Sequence, residues 1–440
     1  MNYGRLITIL TTLSLLLNAC SPTAPLAIFK KLSPHDAYGQ RLKDAGLDRT
    51  AMGGAWLQTA NQAPVKALSI TVPYKETGYF AADKIQSSVL RFDAKRGQKL
   101  HIALSKQPEF NFDIYVDIFQ EQPGGTPKLA ASADTSGLRL DYEVPKSGSY
   151  LLRLQPELLR GGEFTLTITA GPSLSFPVSA SGRPHIGSFW GDNRDEGGRR
   201  HEGIDIFATK HTPAIAAADG IITRVTTNKL GGKVVFMRPE GRDYNTYYAH
   251  LDSQLVRDGQ TVRTGDTLGL VGNTGNARYT PSHLHFGIYT ANGAVDPLPF
   301  VNREIKVPAP ITASEKLLNA TARTTDNNVR LLSSPAENAT TVTTLPLHTA
   351  LQVESATQNW YKVTLPDGRS GYLLSKAIAA AYPLRRQELK TRQPLYDAPD
   401  TTAARKLSIP SGSKVSILAG FKNFYLVSDA QDNTGWIEVK

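Results

Sequence analysis

The sequence predicts a mostly β chain folded as several domains, on three observations. Its 440 residues include 36 glycines and 27 prolines beside 40% hydrophobic residues, a turn-rich composition. Apolar and polar residues alternate at period two over long stretches. The C-terminal region also repeats itself at an offset of 64 residues, without gaps. At about 150 residues per domain the length suggests about three domains. A charged fraction of 20% and a mean hydropathy of −0.27 exclude a polytopic membrane protein and a mostly disordered chain. The single cysteine excludes an intramolecular disulfide framework and a cysteine-built zinc finger. Lysine and arginine number 49 against 39 acids, a net charge of +10. Such a surface suits nucleic acid, anionic lipid or an acidic polymer such as cell wall, and charge alone does not choose among them.

Residues 1–20 read as an export signal. Arg5 is the only positive charge, and the apolar run from Leu6 to Leu17 is too short to span a bilayer as a helix. The run ends Leu17-Asn18-Ala19-Cys20, which resembles a bacterial lipobox. The resemblance implies signal cleavage, a lipid on Cys20 and a membrane anchor, each buried CH₂ contributing about 0.8 kcal/mol. Ser21 in place of aspartate implies sorting to an outer membrane, with the chain facing the periplasm; a secreted or periplasmic protein is the alternative.

Residues 21–65 form a short, helical N-terminal segment. Ser33-Pro34-His35-Asp36 supplies a capping residue, a proline at the first helical position and an acid in the first turn. Tyr38, Leu42 and Ala45 recur at helical spacing before Gly46, and a second helix runs through Trp56 and Ala60. His35 is expected at the surface.

Residues 66–172 switch to period two. Phe112, Ile114, Val116 and Ile118 alternate with polar residues, as do Leu100, Ile102 and Leu104, and Phe164, Leu166 and Ile168. Several short strands punctuated by Pro145, Gly148 and Gly161-Gly162 predict an antiparallel sandwich. The stretch 148–154 resembles pre-peptidase β-sandwiches that flank secreted bacterial proteases. No catalytic constellation falls here, so a spacer or binding module is expected.

A third unit spans 176–302, and Val307-Pro308-Ala309-Pro310 marks an extended linker over 303–318. The repeat then aligns Leu331 with Leu395, Pro335 with Pro399, Trp360-Tyr361-Lys362-Val363 with Phe424-Tyr425-Leu426-Val427, and Gly371-Tyr372-Leu373 with Gly435-Trp436-Ile437. The copies, 319–380 and 385–440, resemble tandem bacterial SH3-like barrels. Pro366-Asp367-Gly368 is a hairpin turn in the first of them.

The chemistry lies in 176–302, where four of the nine histidines fall in three short segments: Arg200-His201-Glu202-Gly203-Ile204-Asp205, Tyr247-Tyr248-Ala249-His250 and Ser282-His283-Leu284-His285-Phe286. On a strand His283 and His285 face the same way. His201 and Asp205, four apart, also project together. Two imidazoles and one carboxylate make a three-ligand N/O site with a vacant position, the pattern of catalytic rather than structural zinc.

These segments, with Ser188-Phe189-Trp190-Gly191-Asp192, the Ala217-Ala218-Asp219-Gly220 turn, the hairpins around Val256–Asp266, Gly272-Asn273-Thr274-Gly275 and Asp296-Pro297, resemble the lysostaphin/LytM-type zinc metallopeptidases over about 125 residues. The resemblance implies a central, antiparallel β metallopeptidase domain acting on peptidoglycan. It makes His201, Asp205 and His285 ligands of Zn²⁺, and His250 and His283 the catalytic histidines. One of this pair is the general base and the other steadies the oxyanion and protonates the leaving amine; His283, beside His285, is the preferred base. Glu202 and Arg200 are expected in solvent, His211 without a catalytic role, and one of Tyr247 and Tyr248 in the core. The expected substrate is the stem peptide of peptidoglycan, with D-Ala–meso-diaminopimelate cross-links favoured.

A noncatalytic wall-binding activator of other hydrolases on the same fold is the alternative, and the complete set of five residues counts against it. A biotinyl or lipoyl carrier lacks its modifiable lysine here. No nucleic-acid-binding pattern is present, so no nucleic-acid partner is expected. Protein partners are not legible.

Overall fold

The computed structural model describes residues 32–62, 66–135, 139–194 and 197–439. The export signal and Cys20 lie outside the described residues. Among those described, no helix is long and apolar enough to cross a membrane.

Helix α1, Pro34–Asp44, opens as its sequence dictates: the Ser33 hydroxyl accepts the Asp36 N–H at 3.0 Å, and Pro34 takes the first position. Gly46, at φ 71°, reverses the chain toward helix α2, Ala51–Gln62. Both helices pack on the following sheet through Leu42, Trp56 and Tyr115, and the Trp56 indole donates to the Pro156 carbonyl at 2.8 Å. His35 is not at the surface. It is 5% exposed, stacks on Trp56 at 4.6 Å and meets the Gln155 side chain at 3.0 Å. The helix face it shares with Gly39 and Leu42 is the docked one, a fact that one short helix does not disclose.

Burial, and then the Arg153 guanidinium, push the His35 pKa below its usual 6.5. The folded state therefore binds this proton less readily than the unfolded one. The stability it contributes is present above 6.5 and is lost as pH falls from there toward the folded value. Fluorescence of a variant that keeps Trp56 as its only tryptophan, in denaturant titrations at pH 7.5 and pH 5.5, checks this. The midpoint is expected to drop at the lower pH, and to drop less in His35→Gln.

The next strands form two facing sheets. One runs Leu68–Ser69, Ser88–Ala94, Gly148–Pro156, Ile114–Gln120, Lys128–Ser132; the other contains Tyr74–Phe80, Gly162–Pro172, Gln98–Gln107 and Arg139–Glu143. The alternating residues Leu100, Ile102, Leu104, Phe164, Leu166 and Ile168 all turn into the shared core. The second sheet does not stop at its expected edge. Thr77 and Gly78 pair with Ala356 and Ser355, so strand Ala350–Thr357 of the first C-terminal barrel continues it. Gly78 permits the join, because a Cβ there would meet the Phe164 ring at 2.5 Å and Ser355 Cβ at 3.0 Å.

The two C-terminal units share one strand order. Thr321–Thr324, Ala350–Thr357, Trp360–Thr364, Ser370–Leu374, Val329–Leu332 and Thr341–Leu345 have counterparts in Arg385–Glu388, Lys414–Phe421, Phe424–Ser428, Thr434–Glu438, Gln393–Tyr396 and Arg405–Ile409. Left-handed backbone recurs at the same offset: His348 with Gly412, Gln358 with Lys422, Gly368 with Asp432.

The central unit is one antiparallel sheet. Its main path runs His185–Ser188, Ile204–Phe207, His283–Thr290, Tyr244–Gln254, Gly232–Pro239, Gly220–Asn228, Thr261–Val262. Its core includes Ile204, Ile206, Tyr248, Leu284, Phe286 and Ile288. The unit meets the sandwich through Phe300, which lies over Gly97, and through an Arg242–Glu143 ion pair at 2.6 Å.

Candidate metal centre

Three neighbouring strands bring the histidines together. Asp205 lies directly across from His285, Phe207 across from His283, and Ala249 across from His285 on the other side. Ile204, Ile206, Leu284 and Phe286 point into the core, so Asp205, His283 and His285 point away from it. His201 sits in the loop just before strand Ile204–Phe207. Gly203 lets that loop close, since a Cβ there would meet His285 Cε1 at 2.6 Å. His250 occupies left-handed backbone at φ 60°, its N–H donating to the Gly231 carbonyl at 2.7 Å. A bulky residue held in that conformation is a local cost that the surrounding strands impose.

His201 Nε2, Asp205 Oδ1 and His285 Nδ1 form a triangle with all three sides at 3.0 Å. Among the described residues this is the group of titratable side chains positioned to hold a metal ion. The donor chemistry fits one. His201 Nδ1–H donates to the Phe189 carbonyl at 2.8 Å, which leaves Nε2 of the neutral ring as a lone pair facing the Asp205 carboxylate. Only a cation or a proton between them makes that approach favourable. A tetrahedral ion with bonds of about 2.0–2.2 Å separates its ligand atoms by about 3.3–3.6 Å, so the 3.0 Å triangle would open by a few tenths of an ångström to hold one.

The second pair of imidazoles adjoins this triangle. His250 and His283 rings lie 5.0 Å apart, and His283 Nε2 is 3.8 Å from Asp205 Oδ1. Each binds a backbone carbonyl through Nδ1: His250 the Thr274 oxygen and His283 the Pro281 oxygen, both at 2.9 Å. A carbonyl only accepts, so both Nδ1 atoms carry the hydrogen and both Nε2 atoms are lone pairs when neutral. The Gly272–Gly275 turn thus has a specific task, orienting His250.

Burial, with His283 and His285 nearby, pushes the His250 pKa down to about 4. Burial also lowers that of His285. For Asp205 burial works the other way, but its close approach to the His201 and His285 rings outweighs it and holds the carboxyl well below its usual range.

These residues floor a groove of about 770 Å³, walled by Arg194, Arg200, Glu202, Tyr247, Asn276 and Tyr289 among others. Every described residue lining it falls between 188 and 289, so neither the sandwich nor the barrels enter it. Glu202 and Arg200 are exposed at the rim. Tyr248 is fully buried, whereas Tyr247 faces the groove with its ring edge-on to His285 at 5.9 Å. His211 lies outside the groove and pairs with Asp252 at 3.2 Å.

Sequence reasoning missed Arg194. It projects from a two-stranded hairpin, Asn193–Arg194 with Arg199–Arg200, and bonds Asp205 Oδ2 at 2.6 Å. The quoted motif Ser188–Asp192 holds the nearest hint. Its Ser188 hydroxyl accepts from Arg194 and its Phe189 carbonyl orients His201.

Residues 199–297 match the model of peptidase family M23, and residues 326–379 that of the bacterial SH3 domain. The central unit is an M23 peptidase domain. The chain is 43% identical over 197 residues to an uncharacterized metalloprotease of Haemophilus influenzae, a match covering 44% of this chain and 39% of that protein. It is 36% identical over 137 residues to an L-Ala–D-Glu endopeptidase of Bacillus subtilis, covering 28% and 42%. The murein hydrolase activator NlpD of Salmonella typhimurium is 32% identical over 130 residues, covering 29% and 33%. The chain thus spans less than half the length of each of these relatives. Among solved structures, LytU is 36% identical, with a TM-score of 0.25 and coverage of 26% of this chain and 82% of that one.

Proposed function

We propose that the M23 domain of this chain is a zinc-dependent endopeptidase that hydrolyses peptide cross-links of bacterial peptidoglycan, with D-Ala–meso-diaminopimelate the favoured bond. The observation that carries this reading is the 3.0 Å triangle of His201, Asp205 and His285, with the lone pairs of His250 and His283 beside it in an open groove. The endopeptidase named among its relatives supports the endopeptidase part of this reading, its printed L-Ala–D-Glu bond being a different one from that favoured here. Zinc held by His201, Asp205 and His285 would supply Lewis acidity to water and to the peptide carbonyl.

The remaining work belongs to the chain. Because the carbonyls of Thr274 and Pro281 claim the Nδ1 hydrogens, both neutral imidazoles accept at Nε2. His283, the nearer to Asp205 Oδ1, takes the proton of the attacking water. The imidazolium so formed then passes that proton to the leaving amine. His250, kept neutral by its depressed pKa, accepts a hydrogen bond from the same water and aims its remaining lone pair at the carbonyl carbon. The oxyanion role expected for one of the pair requires an Nε2–H, which either ring gains only after protonation. Tyr247 and the exposed Arg200 line the path of the peptide. A lipid on Cys20 would confine cleavage to wall within reach of the envelope membrane.

Digestion of purified muropeptides by the full chain tests the reading. Loss of cross-linked dimers is expected with zinc, and none with chelator or in His285→Ala. Zinc uptake without cleavage would favour the activator reading that NlpD represents. A second variant probes the fit of the loop. Gly203→Ala places a methyl 2.6–2.7 Å from His285 Cε1 and Nε2 and from the Phe286 carbonyl. His285 must tilt away from the triangle, and zinc retention on gel filtration is expected to fall while the far-UV circular dichroism stays unchanged.

A further inference from the structure

The two oxygens of Asp205 have different partners. Oδ1 closes the triangle with His201 and His285, and Oδ2 receives Arg194 Nη2 at 2.6 Å. The same nitrogen also contacts the Ser188 hydroxyl at 2.6 Å, and that hydroxyl donates to the Asp192 carboxylate at 2.9 Å. Asp192 is fixed in turn by the Phe189 N–H at 2.8 Å, and its carbonyl accepts the His201 N–H at 2.8 Å. One relay, Asp192–Ser188–Arg194–Asp205, therefore spans the hairpin and ends on the outer face of the candidate ligand. Asp205 is 7% exposed, so a free Oδ2 would be a buried anionic oxygen without a partner.

We infer that Arg194 is a positioning residue that restricts Asp205 to one-oxygen coordination. It occupies the oxygen that would otherwise swing inward as a second ligand atom, and it fixes the plane of the carboxylate. A charge-assisted bond of this length holds a carboxylate in one orientation far better than solvent does. Coordination stays at three protein atoms, and the fourth position stays open for water. This role rests on the metal-centre reading above. The role does not require substrate contact: Nη2 is held by Ser188 and Asp205, while the rest of the guanidinium, about a third exposed, walls the groove. Lysine replaces it only in part: Arg194 serves both oxygens through Nη2 alone, which one ammonium can also do, but a flexible stem lacks the rigid guanidinium plane that fixes the direction of approach.

The test uses the full chain stripped of metal and titrated with zinc against a chromophoric chelator, and separately with Co²⁺, whose visible absorption reports coordination number. For Arg194→Ala the zinc dissociation constant is expected to rise about 10–100-fold. Its Co²⁺ bands are expected to weaken and shift toward those of a five-coordinate ion. Arg194→Lys is expected to recover part of the affinity, and Arg200→Ala, on the same hairpin, to match wild type in both readouts. Circular dichroism and the melting temperature of each variant separate this from unfolding. A wild-type Co²⁺ spectrum in both Arg194 variants overturns the inference, as does tighter zinc binding in Arg194→Ala with an unchanged spectrum, since the residue would then act only as a repelling charge. Failure of the wild-type chain to take up either ion overturns the metal-centre reading itself, and the role of Arg194 with it.

Discussion

His283→Ala and His250→Ala are each expected to lower kcat on cross-linked muropeptides by about 10²–10⁴-fold while leaving zinc stoichiometry unchanged. Neither ring belongs to the 3.0 Å triangle, yet their Nε2 lone pairs open onto the same groove. Removing one takes away a proton acceptor without taking away a ligand. The effect should therefore appear in kcat and not in metal content, whereas His201→Ala, Asp205→Ala and His285→Ala should lose the ion and activity together. His283→Ala should suffer more, because its Nε2 stands 3.8 Å from Asp205 Oδ1 and its ring carries the proton between water and amine. His250→Ala carries a second consequence. Removing the ring relieves no backbone strain, since alanine at φ 60° is at least as disfavoured as histidine. His250→Gly should accordingly be more stable than His250→Ala and equally slow. Single-turnover digestion, elemental analysis and urea denaturation of these variants together check the assignment. Metal loss in His250→Ala or His283→Ala would move that residue from proton transfer to ligation.

Period two made the sandwich legible, because the alternating residues from Leu100 to Leu104 and from Phe164 to Ile168 follow the pleat into one core. The offset of 64 made the two barrels legible down to single turns, since a repeat preserves both hydrophobic register and left-handed positions. The candidate site was legible for a related reason. His283 and His285 are two apart on one strand, and His201 and Asp205 are four apart across a tight loop, so short-range spacing already brings each pair to one side. What escaped was set by contacts between distant segments. Burial of His35 depends on Gln155, 120 residues on. Arg194 reaches Asp205 only because an intervening hairpin folds back, and nothing in the spacing of 11 announces it. The joining of the sandwich to the first barrel is the extreme case, since its partners are nearly 300 residues apart.

That seam yields the largest expected effect on stability. Glu76 is fully buried and Lys362 is 3% exposed, and they meet at 3.2 Å. Glu76 also accepts from the Tyr74 hydroxyl at 2.8 Å and the Ser355 hydroxyl at 2.9 Å, while Lys362 donates to Ser88 at 2.7 Å. The network thus ties both sandwich sheets to strands Ala350–Thr357 and Trp360–Thr364 of the first barrel. Truncating one partner strands the other charge away from water, which costs about 3–5 kcal/mol. Lys362→Met should therefore destabilise the chain by about that amount in urea denaturation. It should also uncouple the Trp56 and Trp436 transitions, read in single-tryptophan variants, which report the sandwich side and the barrel side of the join. Glu76→Leu combined with Lys362→Met should cost less than Lys362→Met alone, because no unpaired charge is left inside. Coincident transitions in Lys362→Met, with a loss under about 1 kcal/mol, would mean that water reaches the seam and that the shared sheet is held by strand pairing rather than by the buried ions.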